Sequence, residues 1–357
     1  MDGGARLKLF HIKDLEEAWS IMTGRPQAAK EFLKLMILPS SGFIKPDELP
    51  SGMPVFQTGG NNLETCLTAL MGCIVPLRVC TETILYPPAE EDYKDILFLL
   101  PDLLKVWREN NFDLSKTFPE NNFDYSKNIT SSKNTGNKVI MLGEAGYGKT
   151  MSSFMLFLEM MKIYKGNICQ GMLPLIISAK TLGIELHKNK GIIESLTIFL
   201  GTLIDKASLN KDLKLQINDL VQFAFDTNNL LLIVDGLEEV AQEHLLTLNS
   251  SIFAWQGPIF LNSRDVYTQL AILPTAPRWK LLPMSDCDDF LLKREKYENL
   301  AIFKEFIQSR PLLNKILRIP LRAAIACRLA NEWAKRGNMD LNNPAILRFF
   351  EYLGYKE

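Results

Sequence analysis

Residues 143–150 read Gly-Glu-Ala-Gly-Tyr-Gly-Lys-Thr and follow directly on the apolar run Lys138–Leu142. A glycine, four residues and then Gly-Lys-Thr is the spacing of a phosphate-binding loop. Gly143 and Gly148 bracket a turn whose backbone N–H groups can converge on phosphate oxygens, with Glu144, Ala145, Gly146 and Tyr147 forming the turn between them. Lys149 places a positive charge near the β and γ phosphates, and the Thr150 hydroxyl is a natural Mg²⁺ ligand. A helix starting near Thr150 and Met151 adds the partial positive charge of its N-terminus. Gly143 through Met151 are therefore the expected contacts of a nucleoside triphosphate.

Such a loop holds only half of a Mg²⁺ ion, and the missing carboxylate is expected at the end of a neighbouring apolar strand. Leu230–Val234 followed by Asp235 supplies it, and the run continues Gly236-Leu237-Glu238-Glu239. Asp235 would hold Mg²⁺ through water, and Glu238 or Glu239 would orient the attacking water that phosphoryl transfer requires. A third apolar run, Ile259–Leu261, ends in Asn262-Ser263-Arg264. At the carboxyl end of a strand these side chains face the γ-phosphate side of a crevice, which makes Arg264 a sensor of that phosphate.

The elements that must carry these residues alternate between strand and helix from Lys138 onward. Strands are predicted at 138–142, 173–178, 230–235, 258–262 and 278–282, with helices at 151–164, 192–205, 213–226 and 242–250. Alternation of this kind predicts an α/β fold, a parallel five-stranded sheet flanked by helices. Residues 284–357 read as a short helical subdomain. Residues 1–108 read as a helical N-terminal domain, with apolar residues at three- and four-residue spacing over Ile12–Met22, Gln27–Ile37, Leu63–Cys80 and Asp92–Trp107. Between the two, 109–137 reads as a flexible polar linker containing a small repeat, NNFDLSK at 110–116 and NNFDYSK at 121–127, whose plainest reading is a duplicated linker segment.

Composition narrows the function classes further. The 357 residues carry a formal net charge of −1, with 47% apolar and 23% charged residues, as in ordinary soluble domains. No global field attracts nucleic acid or anionic membrane, no apolar run is long enough to span a bilayer, and the start lacks a secretory signal. The six cysteines form no C-x-x-C pair. Cys66, Cys73 and Cys80 recur every seventh residue, which suits small buried residues on a helix face better than a metal cluster, and the expected compartment is the reducing cytoplasm.

In order along the chain, GEAGYGKT, DGLEE and NSR resemble the NACHT family of signalling NTPases within the wider STAND class. The segment LPLIISAKTL at 173–182 is similar to that family's second strand, and Ile319-Pro320-Leu321 to the place where a proline packs on the nucleotide base. The resemblance covers about 138–335. It implies a slow ATPase that serves as a switch, closed with ADP and oligomerising with ATP·Mg²⁺ in innate immune or cell-death signalling. It further implies a protein signalling partner for the N-terminal domain. Glu238 stands where the family more often has Asp, and only residues 321–357 follow Pro320, too few for the winged-helix and repeat domains with which such proteins continue. The expectation is thus a truncated member, a fragment or a minimal form. Two other readings stay open at this point: a multiple-turnover ATPase that remodels a protein or nucleic acid, and a scaffold that binds nucleotide without turnover.

Overall fold

The computed structural model describes residues 26–37, 78–81, 94–95, 138–164, 172–188, 191–207, 209–226, 229–264, 276, 278–284, 307, 309, 311–323 and 326. Seven strands form one sheet: β1 (Arg78–Thr81), β2 (Lys94–Asp95), β3 (Lys138–Leu142), β4 (Leu173–Ser178), β5 (Leu230–Asp235), β6 (Ile259–Ser263) and β7 (Arg278–Leu281). Their spatial order is β2-β1-β7-β3-β6-β5-β4. The five strands from β7 to β4 run parallel. This is the parallel five-stranded α/β sheet that the strand–helix alternation predicts.

Every residue of β3, β5 and β6 is buried. Strands covered on both faces need no polar alternation, which is why KVIML, LLLIVD and IFLNS read as continuous apolar runs. Helix α2 (Lys149–Tyr164) leaves β3 through the glycine-rich loop 143–148 and lies against β4, β5 and β6. It is apolar nearly all round, and residues from Phe154 to Met161 are almost all buried. A helix of that composition can only be central. Helices α3 (Ala179–Lys188), α4 (Ile192–Lys206), α5 (Lys211–Asp226) and α6 (Gln242–Ala254) complete the layers, with α3 against both α4 and α6. Helix α7 (Pro311–Leu317) follows the sheet.

The structure departs from the sequence reading in three places. The strand that bears Asp235 is not the neighbour of β3, because β6 lies between them and pairs with both. Chain order brings β5 before β6, so sequence alone suggests the wrong neighbour. The helical expectation fails at Arg78–Thr81 and Lys94–Asp95, which are strands: β1 pairs antiparallel with β7, at Cys80↔Lys280 among others, and with β2. The free hydrogen-bonding edge of β7 decides the conformation there, over a local helical period. Helix α3 has no counterpart among the predicted helices.

Helix α1 (Pro26–Ile37) matches the predicted Gln27–Ile37. It packs on α5, and its Ala28, Phe32 and Met36 belong to the same core as the sheet. The remaining N-terminal helices, Cys66, Cys73, the linker with its repeat, and most of 284–357 lie outside the described residues.

Candidate functional site

The loop between β3 and α2 is shaped by its glycines. Gly146 and Gly148 have φ of 82° and 94°, a region where a side chain is strained. Gly146 is also closely approached, since a Cβ there would lie 3.0 Å from Leu321 Cβ. The Gly143 N–H donates to the Ser263 carbonyl at 3.1 Å, fixing the start of the loop to the end of β6. Glu144 and Ala145 are exposed, while Tyr147 and Met151 pack partly buried against the core.

Lys149 opens α2 and folds back over the loop. Its Nζ donates to the Gly143 carbonyl at 2.8 Å and the Glu144 carbonyl at 3.2 Å, and lies 3.3 Å from Glu238 Oε1. The next turns of α2 reach past β6 to β5. Thr150 and Ser153, three apart and so on one helix face, grip the two oxygens of Asp235: Thr150 Oγ1 donates to Oδ2 at 2.8 Å and Ser153 Oγ to Oδ1 at 3.1 Å. This explains how a carboxylate two strands away from the loop still meets it.

Asn262 on the intervening β6 closes the arrangement. Fully buried, it donates from Nδ2 to Asp235 Oδ1 at 2.9 Å, to the Lys149 carbonyl at 2.6 Å, and to Ser153 Oγ. Sequence reasoning gave neither Ser153 nor Asn262 a specific role. The signals available were the i+3 spacing from Thr150 and a polar residue ending the apolar run of β6. Burial pushes the Asp235 carboxyl above the usual carboxylate range. The hydrogen bonds from Asn262, Thr150 and Ser153 pull it back in part, and the nearby Glu238 charge adds to the rise.

The turn Leu237–Glu239, a single 3₁₀ turn, separates the two candidate acids. Leu237 is buried in the core, Glu239 is exposed, and Glu238 points back into the site. Glu238 accepts the Arg264 backbone N–H on Oε2 at 3.1 Å, and its Oε1 lies 3.4 Å from Arg264 Nε. Of the two predicted positions, Glu238 is thus the one that meets Lys149 and Arg264. Pro320 is buried, and the adjacent Leu321 N–H donates to the Gly146 carbonyl at 3.1 Å. The Met284 N–H donates to the Arg318 carbonyl at 2.8 Å, which ties the segment after β7 to the residues before Pro320.

These residues fit a nucleotide phosphate and Mg²⁺. Thr150 and Asp235 present hard oxygens 2.8 Å apart, a pairing suited to a hard cation such as Mg²⁺. Buried Ser263 Oγ and Asn262 Oδ1 have no protein partner, so polar capacity remains at the end of β6. Among the described residues no group of three or more His, Cys, Asp or Glu could hold a metal, so phosphate and water would complete the Mg²⁺ shell. Among the described residues, too, no helix is long and apolar enough to cross a membrane.

No family model matches the chain, and no curated protein matches it. Among solved structures it is similar to a Signal Transduction ATPase with Numerous Domains (STAND) protein with a tetratricopeptide repeat sensor from Pyrococcus horikoshii, at 14% identity and a TM-score of 0.27. That likeness covers 51% of this chain and 27% of the other, so the chain spans about a quarter of that protein's length. At this level of likeness the site rests on its own geometry.

Proposed function

We propose that the chain is a nucleotide-binding switch of NACHT type, which binds ATP or ADP with Mg²⁺, hydrolyses ATP slowly and oligomerises when loaded with ATP. One observation carries the nucleotide site: Lys149, Thr150, Asp235, Glu238 and Arg264, drawn from three separate segments, meet at the carboxyl ends of β3, β5 and β6. Ligands of open α/β sheets bind at that edge. Lys149 would carry the β and γ phosphates, with Thr150 and Asp235 holding Mg²⁺. Mg²⁺ supplies charge neutralisation across the phosphate oxygens. Ser153 and Asn262 keep Asp235 oriented, Glu238 positions water, and Arg264 senses the terminal phosphate. Pro320, carried on the segment that bonds to Gly146, would pack on the base.

The switch character, the oligomer, the N-terminal signalling partner, the cytoplasmic setting and the role in defence or cell death come from the resemblance of GEAGYGKT, DGLEE and NSR to that family. For a switch, ATP and ADP must favour different arrangements of the chain, because a ligand that binds both arrangements equally shifts nothing. The test is the identity and stoichiometry of nucleotide released on denaturing the purified chain, beside its oligomeric state with ATP·Mg²⁺. Retained ADP with assembly only after ATP loading supports the switch. Steady turnover with no retained nucleotide and no change of assembly would replace it with a multiple-turnover ATPase. Retained nucleotide with neither turnover nor assembly would replace it with a scaffold.

A further inference from the structure

An ammonium has three N–H donors, and Lys149 Nζ has three acceptors around it: two backbone carbonyls at 2.8 and 3.2 Å and the Glu238 carboxylate at 3.3 Å. A phosphate that reaches Lys149 must displace one of them. The carbonyls of Gly143 and Glu144 are part of the loop itself, whereas Glu238 makes the longest contact and is the anionic partner. Exchange of one anion for another at Nζ leaves the loop intact.

Both oxygens of Glu238 are engaged. Oε1 faces Lys149 and Arg264 Nε, and Oε2 takes the Arg264 N–H. The position is firmly held, because Leu237 is 1% exposed in the core and the Glu239 N–H closes the turn on the Gly236 carbonyl at 2.9 Å. The side chains of Lys149 and Glu238 are only 10% and 12% exposed, so their attraction is weakly screened, while Arg264 at 53% is screened far more.

Resting on the nucleotide reading above, we propose that Glu238 is a built-in anion that competes with the terminal phosphate of a nucleoside triphosphate for Lys149 and Arg264, and so sets the site's preference for diphosphate over triphosphate. A diphosphate engages Lys149 and leaves the Glu238–Arg264 pairing in place. A triphosphate brings its extra charge to the ground that Glu238 holds, and must displace the carboxylate from both cations. The specificity of the site is then a difference built from a repulsive element as well as attractive ones.

The experiment is calorimetric titration of ADP·Mg²⁺ and of a non-hydrolysable β,γ-methylene ATP analogue with Mg²⁺ into the full chain, Glu238→Gln and Glu238→Asp. Glu243→Gln, which removes an exposed carboxylate on α6, serves as a charge control. In Glu238→Gln the ratio of triphosphate to diphosphate Kd falls about tenfold, the size of effect expected for a largely buried ion pair. The ratio moves the same way by less in Glu238→Asp, one methylene shorter, and stays put in Glu243→Gln. An unchanged ratio in both Glu238 variants, or weaker triphosphate binding in Glu238→Gln, overturns the inference while leaving the nucleotide site standing. Failure of the unmodified chain to bind either nucleotide overturns the site and the inference together.

Discussion

Two lysines flank β3, one at each end, and both are buried. Lys138 opens the strand at 1% exposure and Lys149 follows the loop at 9%. Lys138 Nζ donates to the Phe253 carbonyl at 2.7 Å, near the C-terminus of α6, and lies 5.4 Å from the centre of the Phe253 ring. There it meets the negative end of a helix dipole and an aromatic face. Burial holds its ammonium below the usual lysine range. Lys149 instead meets loop carbonyls and a carboxylate, in a setting where a phosphate can take the carboxylate's place. Burial of a cation therefore does not by itself mark a functional position. In the proposed site it is the exchangeable carboxylate partner that would set Lys149 apart from Lys138.

The largest contrast is expected between the two acids near Lys149. Glu238→Gln should slow single-turnover hydrolysis about a hundredfold while Glu239→Gln changes it only slightly, measured by product formation after mixing with excess protein. The reverse order would move the water-positioning role to the exposed residue. Next, Asp235→Asn should remove most of the Mg²⁺-dependence of nucleotide affinity, roughly tenfold or more by titration with and without Mg²⁺.

The same Asp235 substitution carries a pH signature. A carboxyl whose folded pKa is raised binds more protons in the native than in the unfolded state, so its contribution to stability is present below the ordinary carboxylate range and is lost as pH rises through the folded value. Melting curves from acid to neutral pH should show that loss in the unmodified chain and less of it in Asp235→Asn.

A smaller effect is expected at the loop. Gly146→Ala should cost about 1–2 kcal/mol, from positive φ and from the close approach of Leu321. Denaturant titration checks it. The smallest effect is at the other lysine. Lys138→Met keeps the apolar stem and loses one hydrogen bond, for about 1 kcal/mol or about 2–4 °C in Tm. Because Lys138 has a lowered folded pKa, its unfavourable share is relieved as pH rises through that value toward the unfolded one. The Met substitution should flatten that alkaline gain.

Much of the sheet was legible because its strands are buried on both faces. KVIML, LPLIIS and LLLIVD announce themselves as apolar runs, and the structure keeps their predicted limits. The loop was legible because its glycines and lysine sit at fixed offsets. What could not be read is anything set by neighbours distant in sequence. The insertion of β6 between β3 and β5 depends on sheet order, and so does the bridging role of Asn262, which needs Lys149 and Asp235 on either side of it. Glu238 and Glu239 are adjacent and chemically alike, and only the 3₁₀ turn turns one inward and the other out. At Arg78–Thr81 the sheet edge of β7 overrides a helical period that a local window favours.

If Lys149, and not buried positive charge in general, makes this edge of the sheet a nucleotide site, the two lysines must differ in what their loss does to binding. The affinity for ADP·Mg²⁺ of the unmodified chain, Lys149→Ala and Lys138→Met, measured side by side by calorimetry, decides it. Lys138→Met should bind like the unmodified chain, and Lys149→Ala should lose about a hundredfold, the loss of a charge-assisted phosphate contact. Comparable affinity in Lys149→Ala would rule out Lys149 as the phosphate-binding cation.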